Sequence, residues 1–101
     1  MGAVTLSTTI TPAAEADLTE VIAWYESKRP DLSFDFLLSL DATLDHIARH
    51  PESYAMVAPA VRRALLRRFP HAVYYRLKAT IEVIAIVHTH RSPRVWQKRN
   101  Q

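Results

Sequence analysis

Four arginines lie close together in the second half of the chain, where they could bind an anion. They occupy positions 62, 63, 67 and 68. A guanidinium group can hold a phosphate or a carboxylate through two parallel hydrogen bonds. Because adjacent residues of a strand face opposite sides, either Arg63 and Arg67 or Arg62 and Arg68 would reach the same open face of a sheet. Charge protection of an edge strand is the alternative, but four arginines exceed what that role requires, so we favour a binding surface.

A second candidate for chemistry is the segment His88-Thr89-His90-Arg91. Two imidazoles two positions apart share a face of a continuing strand and could begin a zinc site. Such a site needs further ligands, and nearly all carboxylates lie in the other half of the chain, so we expect no metal and no cofactor. An imidazole beside Arg91 could instead act as a general acid or base on RNA. The simplest alternative gives His88 a structural role at a strand end.

Aromatic side chains accompany these basic residues. Tyr54, Tyr74, Tyr75 and Trp96 could stack on nucleic-acid bases, although such residues more often belong to a core or an interface. The absence of cysteine excludes disulfides, thiolate metal sites and a cysteine nucleophile. The only glycine, Gly2, leaves no glycine-rich phosphate loop. No other catalytic set is recognisable from spacing alone.

Charge is distributed unevenly along the chain. Residues 1–59 carry nine acidic and three basic residues, whereas residues 60–101 carry one acidic and ten basic residues. A basic surface of this kind attracts phosphates or carboxylates. The distribution therefore predicts an acidic partner, a nucleic acid, or both in turn.

The helices and strands that must position these residues can be placed from the sequence. Residues 4–10 are rich in β-branched residues and predict a strand. Thr11-Pro12 caps a first helix that ends near Lys28-Arg29, and Asp31 or Ser33 caps a second that ends at His50-Pro51. Its predicted buried stripe is Leu37, Leu40, Leu44 and Ile47, widened by Phe34, Leu38 and Ala48.

Three further strands are predicted over Val61–Phe69, His71–Lys78 and Ile81–His88, followed by a short polar tail. The last strand is apolar on both faces except at Glu82, which indicates a central position. We therefore expect an α+β fold of order β-α-α-β-β-β, with a helical hairpin on one face of a small antiparallel sheet. At 101 residues the chain is expected to be a single domain.

These segments together resemble the RelE/ParE superfamily of toxins from type II toxin–antitoxin systems, also called plasmid stabilisation proteins. The resemblance extends over about residues 4–99. It is carried by Ala16-Asp17-Leu18, Trp24-Tyr25, Phe36, Pro51, Tyr54, Arg62-Arg63 through Leu66, Arg68-Phe69-Pro70, Val73-Tyr74-Tyr75-Arg76, Val87-His88, Arg91-Ser92-Pro93 and Trp96. It implies one toxin domain over residues 1–101, with the fold described above.

The superfamily contains two mechanisms, and both remain open for this chain. ParE-like members inhibit DNA gyrase by protein contact, whereas RelE-like members cleave mRNA in the ribosome. We favour the ParE-like mechanism because arginines stand where RelE-like members are rich in lysine, and because no tyrosine follows the last strand. Trp96 nevertheless lies near the position of a common C-terminal aromatic residue. If the chain is a ribonuclease, its candidate catalytic residues are Arg62, Arg68, His88 and Arg91. A degenerate module that only binds an antitoxin is the third reading.

The resemblance also implies partners. A cognate acidic antitoxin is expected, with DNA gyrase or the ribosome and mRNA as target, and either a homodimer or a toxin–antitoxin hetero-oligomer. The candidate residues for target or antitoxin binding are Arg62, Arg63, Arg67, Arg68, Tyr74, Arg76, His90, Arg91, Arg94 and Trp96. No membrane-length apolar run and no signal peptide are recognisable, so a cytoplasmic location without membrane contact is expected.

Overall fold

Prolines mark the starts of the two long helices. The computed structural model describes residues 5–100. Its elements are β1 Thr8–Ile10, α1 Pro12–Lys28, α2 Pro30–Arg49, β2 Ala55–Ala58, β3 Val61–Leu65, β4 His71–Leu77, β5 Ile81–His88 and α3 Arg94–Arg99. Thr11 caps α1 through its side chain, which accepts a hydrogen bond from the Ala14 N–H at 3.3 Å. The predicted start of α2 was late, because α2 begins directly at Pro30, with Arg29 as an N-cap whose side chain makes no capping hydrogen bond.

The five strands form one sheet in the order β1-β5-β4-β3-β2. Strands β2 to β5 pair antiparallel, and β1 lies parallel to β5. The α+β fold and the central position of β5 are thus confirmed. The sheet was predicted to be antiparallel, but it is mixed, because β1 pairs with β5 in the same direction. Val4, where the first strand was predicted to begin, lies outside the described residues.

Two elements escaped the sequence analysis and one strand was predicted too long. Strand β2 occupies the segment before Pro59, and the tail contains the helix α3. Strand β3 ends at Leu65, because residues 66–70 form the turn to β4. Arg67 and Arg68 therefore lie in a turn, and strand alternation does not determine where they point.

The helical hairpin of α1 and α2 covers one face of the sheet. Val73 and Tyr75 of β4 pack there against Phe36 and Ile47 of α2, all four fully buried. The predicted stripe on α2 was partly wrong, because Leu40 and Ile47 are buried whereas Phe34, Leu37 and Leu38 are exposed. The N-terminal half of α2 thus leaves an apolar surface in contact with solvent.

The opposite face of the sheet was expected to be partly open, but the unpredicted helix α3 packs on it. Trp96 of α3 stacks on Tyr74 with ring centroids 5.1 Å apart and an interplanar angle of 15°. Ile84 and Val87 of β5 are buried in the same cluster. Because a bulge shifts the register between Tyr74 and Tyr75, Ile84 is an additional residue that faces this second core.

Side chains from both layers close the outer edge of β5 beyond β1. The Asp17 carboxylate accepts a hydrogen bond from the Ile86 N–H at 3.0 Å. Arg99 of α3 forms a salt bridge with Asp17 and donates to the Ile84 carbonyl at 3.1 Å. An exposed edge would otherwise offer unpaired main-chain groups to another chain. This network therefore fixes α3 to the sheet and to α1 at once.

No helix in the range 5–100 has the combination of length and apolar content that a membrane span requires.

Candidate functional site

The four arginines of the run 62–68 occupy three different environments. Arg62 is half-buried and donates to the main-chain carbonyls of Glu52 at 3.1 Å and Tyr54 at 2.7 Å. It therefore holds the connection between α2 and β2 and is not the solvent-facing residue that was predicted. Arg63 is exposed on the face of the sheet that carries α3.

Arg67 and Arg68 reach a groove between α2 and the turn after β3. This α2 groove has a volume of about 460 Å³. Its lining comprises Asp35, Leu38, Ser39, Ala42, Thr43, His46, Tyr54, Leu65, Arg67 and Arg68. Both arginines are exposed, and within residues 5–100 neither forms a salt bridge. Their guanidinium groups are thus available to an anionic partner.

The turn that carries these arginines is held firmly. The Ser39 hydroxyl donates to the Arg67 carbonyl at 2.8 Å, which ties the turn to α2. Arg68 has a φ of 71°, a left-handed conformation that is unfavourable for a residue with a Cβ. Phe69 then packs between Tyr25 and Phe36, with ring centroids 5.2 and 5.3 Å away. The two arginines therefore project from a fixed support.

The other end of the α2 groove contains a hydrogen-bonded imidazole and phenol. His46 Nδ1 and Tyr54 Oη lie 2.6 Å apart. Burial raises the pKa of Tyr54 above its usual value of 10.0. The phenol therefore stays protonated near neutral pH.

An unpaired stretch of strand borders the same groove. Strand β2 pairs with β3 only up to Arg63, whereas Leu65 pairs with Ala72 on β4 alone. Leu66 N–H donates to the His71 carbonyl, so the alternating antiparallel pattern points the main-chain groups of Leu65 away from β4. Leu65 is also 56 % exposed. This edge can accept an additional strand.

Three of the predicted binding residues are engaged in the cluster around α3. Tyr74 and Trp96 are 6 % exposed and stack on each other, so neither is available to a base. Arg76 is half-buried and forms a salt bridge with Glu82. These residues stabilise the fold around α3. The other three predicted binding residues, His90, Arg91 and Arg94, are exposed between the end of β5 and the start of α3.

Comparison with known proteins gives this arrangement its context. Residues 9–93 match the family described as the ParE toxin of the type II toxin–antitoxin system parDE. This chain belongs to the ParE toxin family. A search of curated proteins finds no match. Among solved structures, a chain of the chromosomal ParDE TA system from P. aeruginosa is similar to it, with 21 % identity and a TM-score of 0.73. The similarity covers 83 % of this chain and 96 % of that chain, and it shows a common fold.

In this ParE family member, two of the residues predicted from the histidine-containing segment line a separate cavity. This histidine cavity lies between α1 and the ends of β4 and β5 and has a volume of about 330 Å³. Its lining comprises Asp17, Glu20, Val21, Trp24, Tyr25, Pro70, His71, Ile86, Val87, His88 and Arg91. The candidate nuclease residues are thus divided, since His88 and Arg91 lie here while Arg68 lies in the α2 groove.

Two neighbouring imidazoles dominate the histidine cavity. The rings of His71 and His88 lie 5.3 Å apart. Burial, together with the charge of His88, lowers the pKa of His71 from 6.5 to about 4, so His71 is neutral near pH 7. His88 Nδ1 accepts the His90 N–H at 3.0 Å. Within residues 5–100 no three His, Cys, Asp or Glu side chains are grouped as metal ligands.

Sequence reasoning missed several residues of this ParE fold and its sites. Arg99, the partner of Asp17, belongs to the helix α3, which was not recognised. Tyr54, the partner of His46, lies in the connection between α2 and β2, whose path the sequence did not reveal. Asp17 carried a signal nevertheless, because it is an acid within the largely apolar side of α1. His71 carried none, since its burial depends on the packing of Tyr25 and Phe36 around it.

Proposed function

We propose that this protein is a toxin that inhibits DNA gyrase by protein contact and that a cognate acidic antitoxin neutralises it. Membership of the ParE toxin family supports the toxin role. The similar chain from the P. aeruginosa ParDE TA system supports an antitoxin as partner.

The distribution of the candidate nuclease residues favours gyrase over RNA cleavage. A general acid or base must lie within hydrogen-bond reach of the group it serves, and the cations must face the developing charge. Arg62 is bonded to main-chain carbonyls, Arg68 lines the α2 groove, and His88 and Arg91 line the histidine cavity. This separation is the observation that carries the choice of mechanism.

The α2 groove is the proposed antitoxin site. It combines an unpaired strand edge at Leu65, the exposed apolar side chain of Leu38, and the guanidinium groups of Arg67 and Arg68, which form no salt bridge within residues 5–100. An antitoxin segment that adds a strand beside Leu65 would gain main-chain hydrogen bonds. Its acidic side chains would pair with the arginines while its apolar side chains cover α2.

Two assays with the purified protein test the target. We expect supercoiling by purified gyrase to be inhibited at concentrations that leave a reconstituted translation reaction unaffected. Codon-specific cleavage of mRNA in the translation reaction, with gyrase unaffected, would establish the ribonuclease alternative instead. Inactivity in both assays and in cells would indicate a module that only binds an antitoxin.

The antitoxin site is tested by two double variants with the same loss of charge. The probe is the cognate antitoxin, expected to be the acidic product of the adjacent reading frame, and isothermal titration calorimetry measures its affinity. Arg67→Ala with Arg68→Ala should weaken binding at least about 10-fold, as expected for the loss of charge-assisted hydrogen bonds. Arg91→Ala with Arg94→Ala removes two exposed arginines elsewhere and should have a small effect. Equal losses in both variants would contradict the proposed location.

A further inference from the structure

The histidine cavity has the size and the walls of a small-molecule site. Its volume of about 330 Å³ falls in the range of roughly 300–1,000 Å³ that is common for ligand pockets. Aromatic rings form much of its lining, which includes Trp24 and Tyr25 of α1 and His71 and His88 of the sheet. Tyr25 and His71 are in contact, with ring centroids 5.8 Å apart. Trp24 is 56 % exposed. A flat ring placed between Trp24 and His88 would bury apolar surface on both sides.

One buried polar atom of this cavity has no partner within residues 5–100. His71 is 7 % exposed, and its Nδ1 has no hydrogen-bond partner in the described chain. A buried polar atom without a partner costs about 1–3 kcal/mol. A ligand with hydrogen-bonding groups on its ring edge could reduce that cost, because His71 lies at the wall of the cavity.

Opposite charges stand at different sides of the opening. Glu20 belongs to α1, whereas Arg91 follows β5, and both are exposed. Within residues 5–100 neither forms a salt bridge, so the two groups are not within 4.0 Å of each other. A ligand that pairs with both the Glu20 carboxylate and the Arg91 guanidinium needs hydrogen-bond donors at one end and an anionic group at the other. A purine nucleotide has this arrangement, because its base and its phosphate are joined through a sugar.

We propose that the histidine cavity binds a purine nucleotide with the base between Trp24 and His88. The amino edge of the base donates to the Glu20 carboxylate, which can accept two hydrogen bonds from guanine. The phosphate binds the Arg91 guanidinium. The site is separate from the α2 groove, so this proposal is independent of the proposed toxin function.

Nuclear magnetic resonance titration of the full chain tests the proposal with guanosine monophosphate as probe. We expect saturable shifts of the Trp24 indole and His88 imidazole signals, with the buried Trp96 indole unchanged. Guanosine, which lacks the phosphate, should bind at least about 10-fold more weakly, as expected for the loss of a charge-assisted contact. Absence of saturable shifts at millimolar nucleotide would overturn the proposal.

Two arginine variants locate the phosphate. Arg91→Ala should reduce the affinity for guanosine monophosphate to that for guanosine, whereas Arg94→Ala removes a nearby exposed arginine and should leave it unchanged. Equal effects of the two variants would mean that the nucleotide binds only through general charge attraction, which also overturns the proposal. A dinucleotide with a terminal guanosine phosphate distinguishes the source: tighter binding than the mononucleotide indicates an RNA end, and equal or weaker binding indicates a free nucleotide.

Discussion

At the scale of single residues, position in the fold decides what each arginine does. Arg62 and Arg63 are adjacent, yet Arg62 donates to two main-chain carbonyls while Arg63 is exposed to solvent. The first anchors the segment before β2, and the second adds only charge. Identical chemistry thus holds the main chain at one position and adds only surface charge at the other.

This difference gives a stability prediction. Arg62→Ala should lower the free energy of unfolding by about 1–3 kcal/mol, because the carbonyls of Glu52 and Tyr54 lose their charged donor. Arg63→Ala is the matched control and should change it by less than about 0.5 kcal/mol. Urea unfolding followed by circular dichroism measures both. A loss for Arg63→Ala as large as that for Arg62→Ala would contradict the assignment of these roles.

His71 should make stability depend on pH in the mildly acidic range. Its pKa is lowered from 6.5 to about 4 in the folded protein, so the unfolded chain binds a proton first as the pH falls. The stabilisation is complete above pH 6.5 and is lost on acidification toward pH 4, with a total of about 3 kcal/mol.

Urea unfolding at several pH values measures this dependence. His71→Phe should remove the part of the change in unfolding free energy with pH that comes from His71, while carboxylates continue to titrate. His50→Gln, at an exposed position, should leave that part unchanged. An unchanged slope in His71→Phe would assign the dependence to other groups.

At the scale of helices and strands, the β2–β3 connection contains an avoidable strain. Pro59 and Ala60 form the two-residue loop between these strands, and Ala60 has a φ of 65°. A left-handed residue after proline is typical of a type II turn, in which glycine is preferred. Alanine there is less favourable by about 1–2 kcal/mol.

Ala60→Gly should therefore raise the free energy of unfolding. The expected gain is up to about 1 kcal/mol, because glycine also increases the entropy of the unfolded chain. Ala79→Gly, in the exposed turn between β4 and β5, is the control; its φ is not positive, so glycine should be neutral or destabilising there. Thermal unfolding of both variants measures the difference, and destabilisation by Ala60→Gly would argue against the left-handed conformation.

The sequence was most informative where local chemistry determines structure. Thr11-Pro12, Pro30 and His50-Pro51 fixed the two long helices to within a few residues. In β4, Val73, Tyr75 and Leu77 contact the core under the helical hairpin and Tyr74 the core under α3, as expected from the alternation of a strand.

Other features depend on contacts that a local pattern does not reveal. Helix α3 spans Arg94–Arg99 and has no apolar period, and it is held mainly by Trp96 on Tyr74 and by Arg99 on Asp17. Strand β2 spans Ala55–Ala58 and is too short and too exposed to show alternation. The four arginines predicted to form one surface are also divided, because residues 66–70 form a turn and do not continue the strand. Arg67 and Arg68 lie at the α2 groove, whereas Arg62 donates to main-chain carbonyls.

At the scale of the whole molecule, one ion pair joins the acidic and basic parts of the chain. Of the salt bridges within residues 5–100, only Asp17–Arg99 connects the first 59 residues with the rest. Asp17→Asn should lower the free energy of unfolding by about 3 kcal/mol, because Arg99 loses its partner while it stays partly buried. Asp41→Asn, at an exposed position of α2, should change it by less than about 0.5 kcal/mol.

Urea unfolding of both variants measures these changes. Hydrogen exchange in β5 should also increase in Asp17→Asn, since the carboxylate accepts the Ile86 N–H. Unchanged exchange at Ile86 would contradict the role assigned to this side chain.

No other salt bridge within residues 5–100 joins the acidic part of the chain to the basic part. Association with the proposed antitoxin should therefore be strongly electrostatic. Long-range attraction accelerates the encounter of opposite charges and is screened over about 8–10 Å at physiological salt. We therefore expect the association rate constant, measured by stopped flow, to fall at least about 10-fold between low and high salt, while the dissociation rate constant changes less.

The two double arginine variants separate attraction from contact. Removing Arg91 and Arg94 should lower the association rate and its salt dependence but leave dissociation nearly unchanged. Removing Arg67 and Arg68 lowers the net charge equally. It should also accelerate dissociation, because in the proposed site these guanidinium groups contact the antitoxin. Dissociation that is equally fast in both variants would mean that the arginines of the turn attract the antitoxin without binding it.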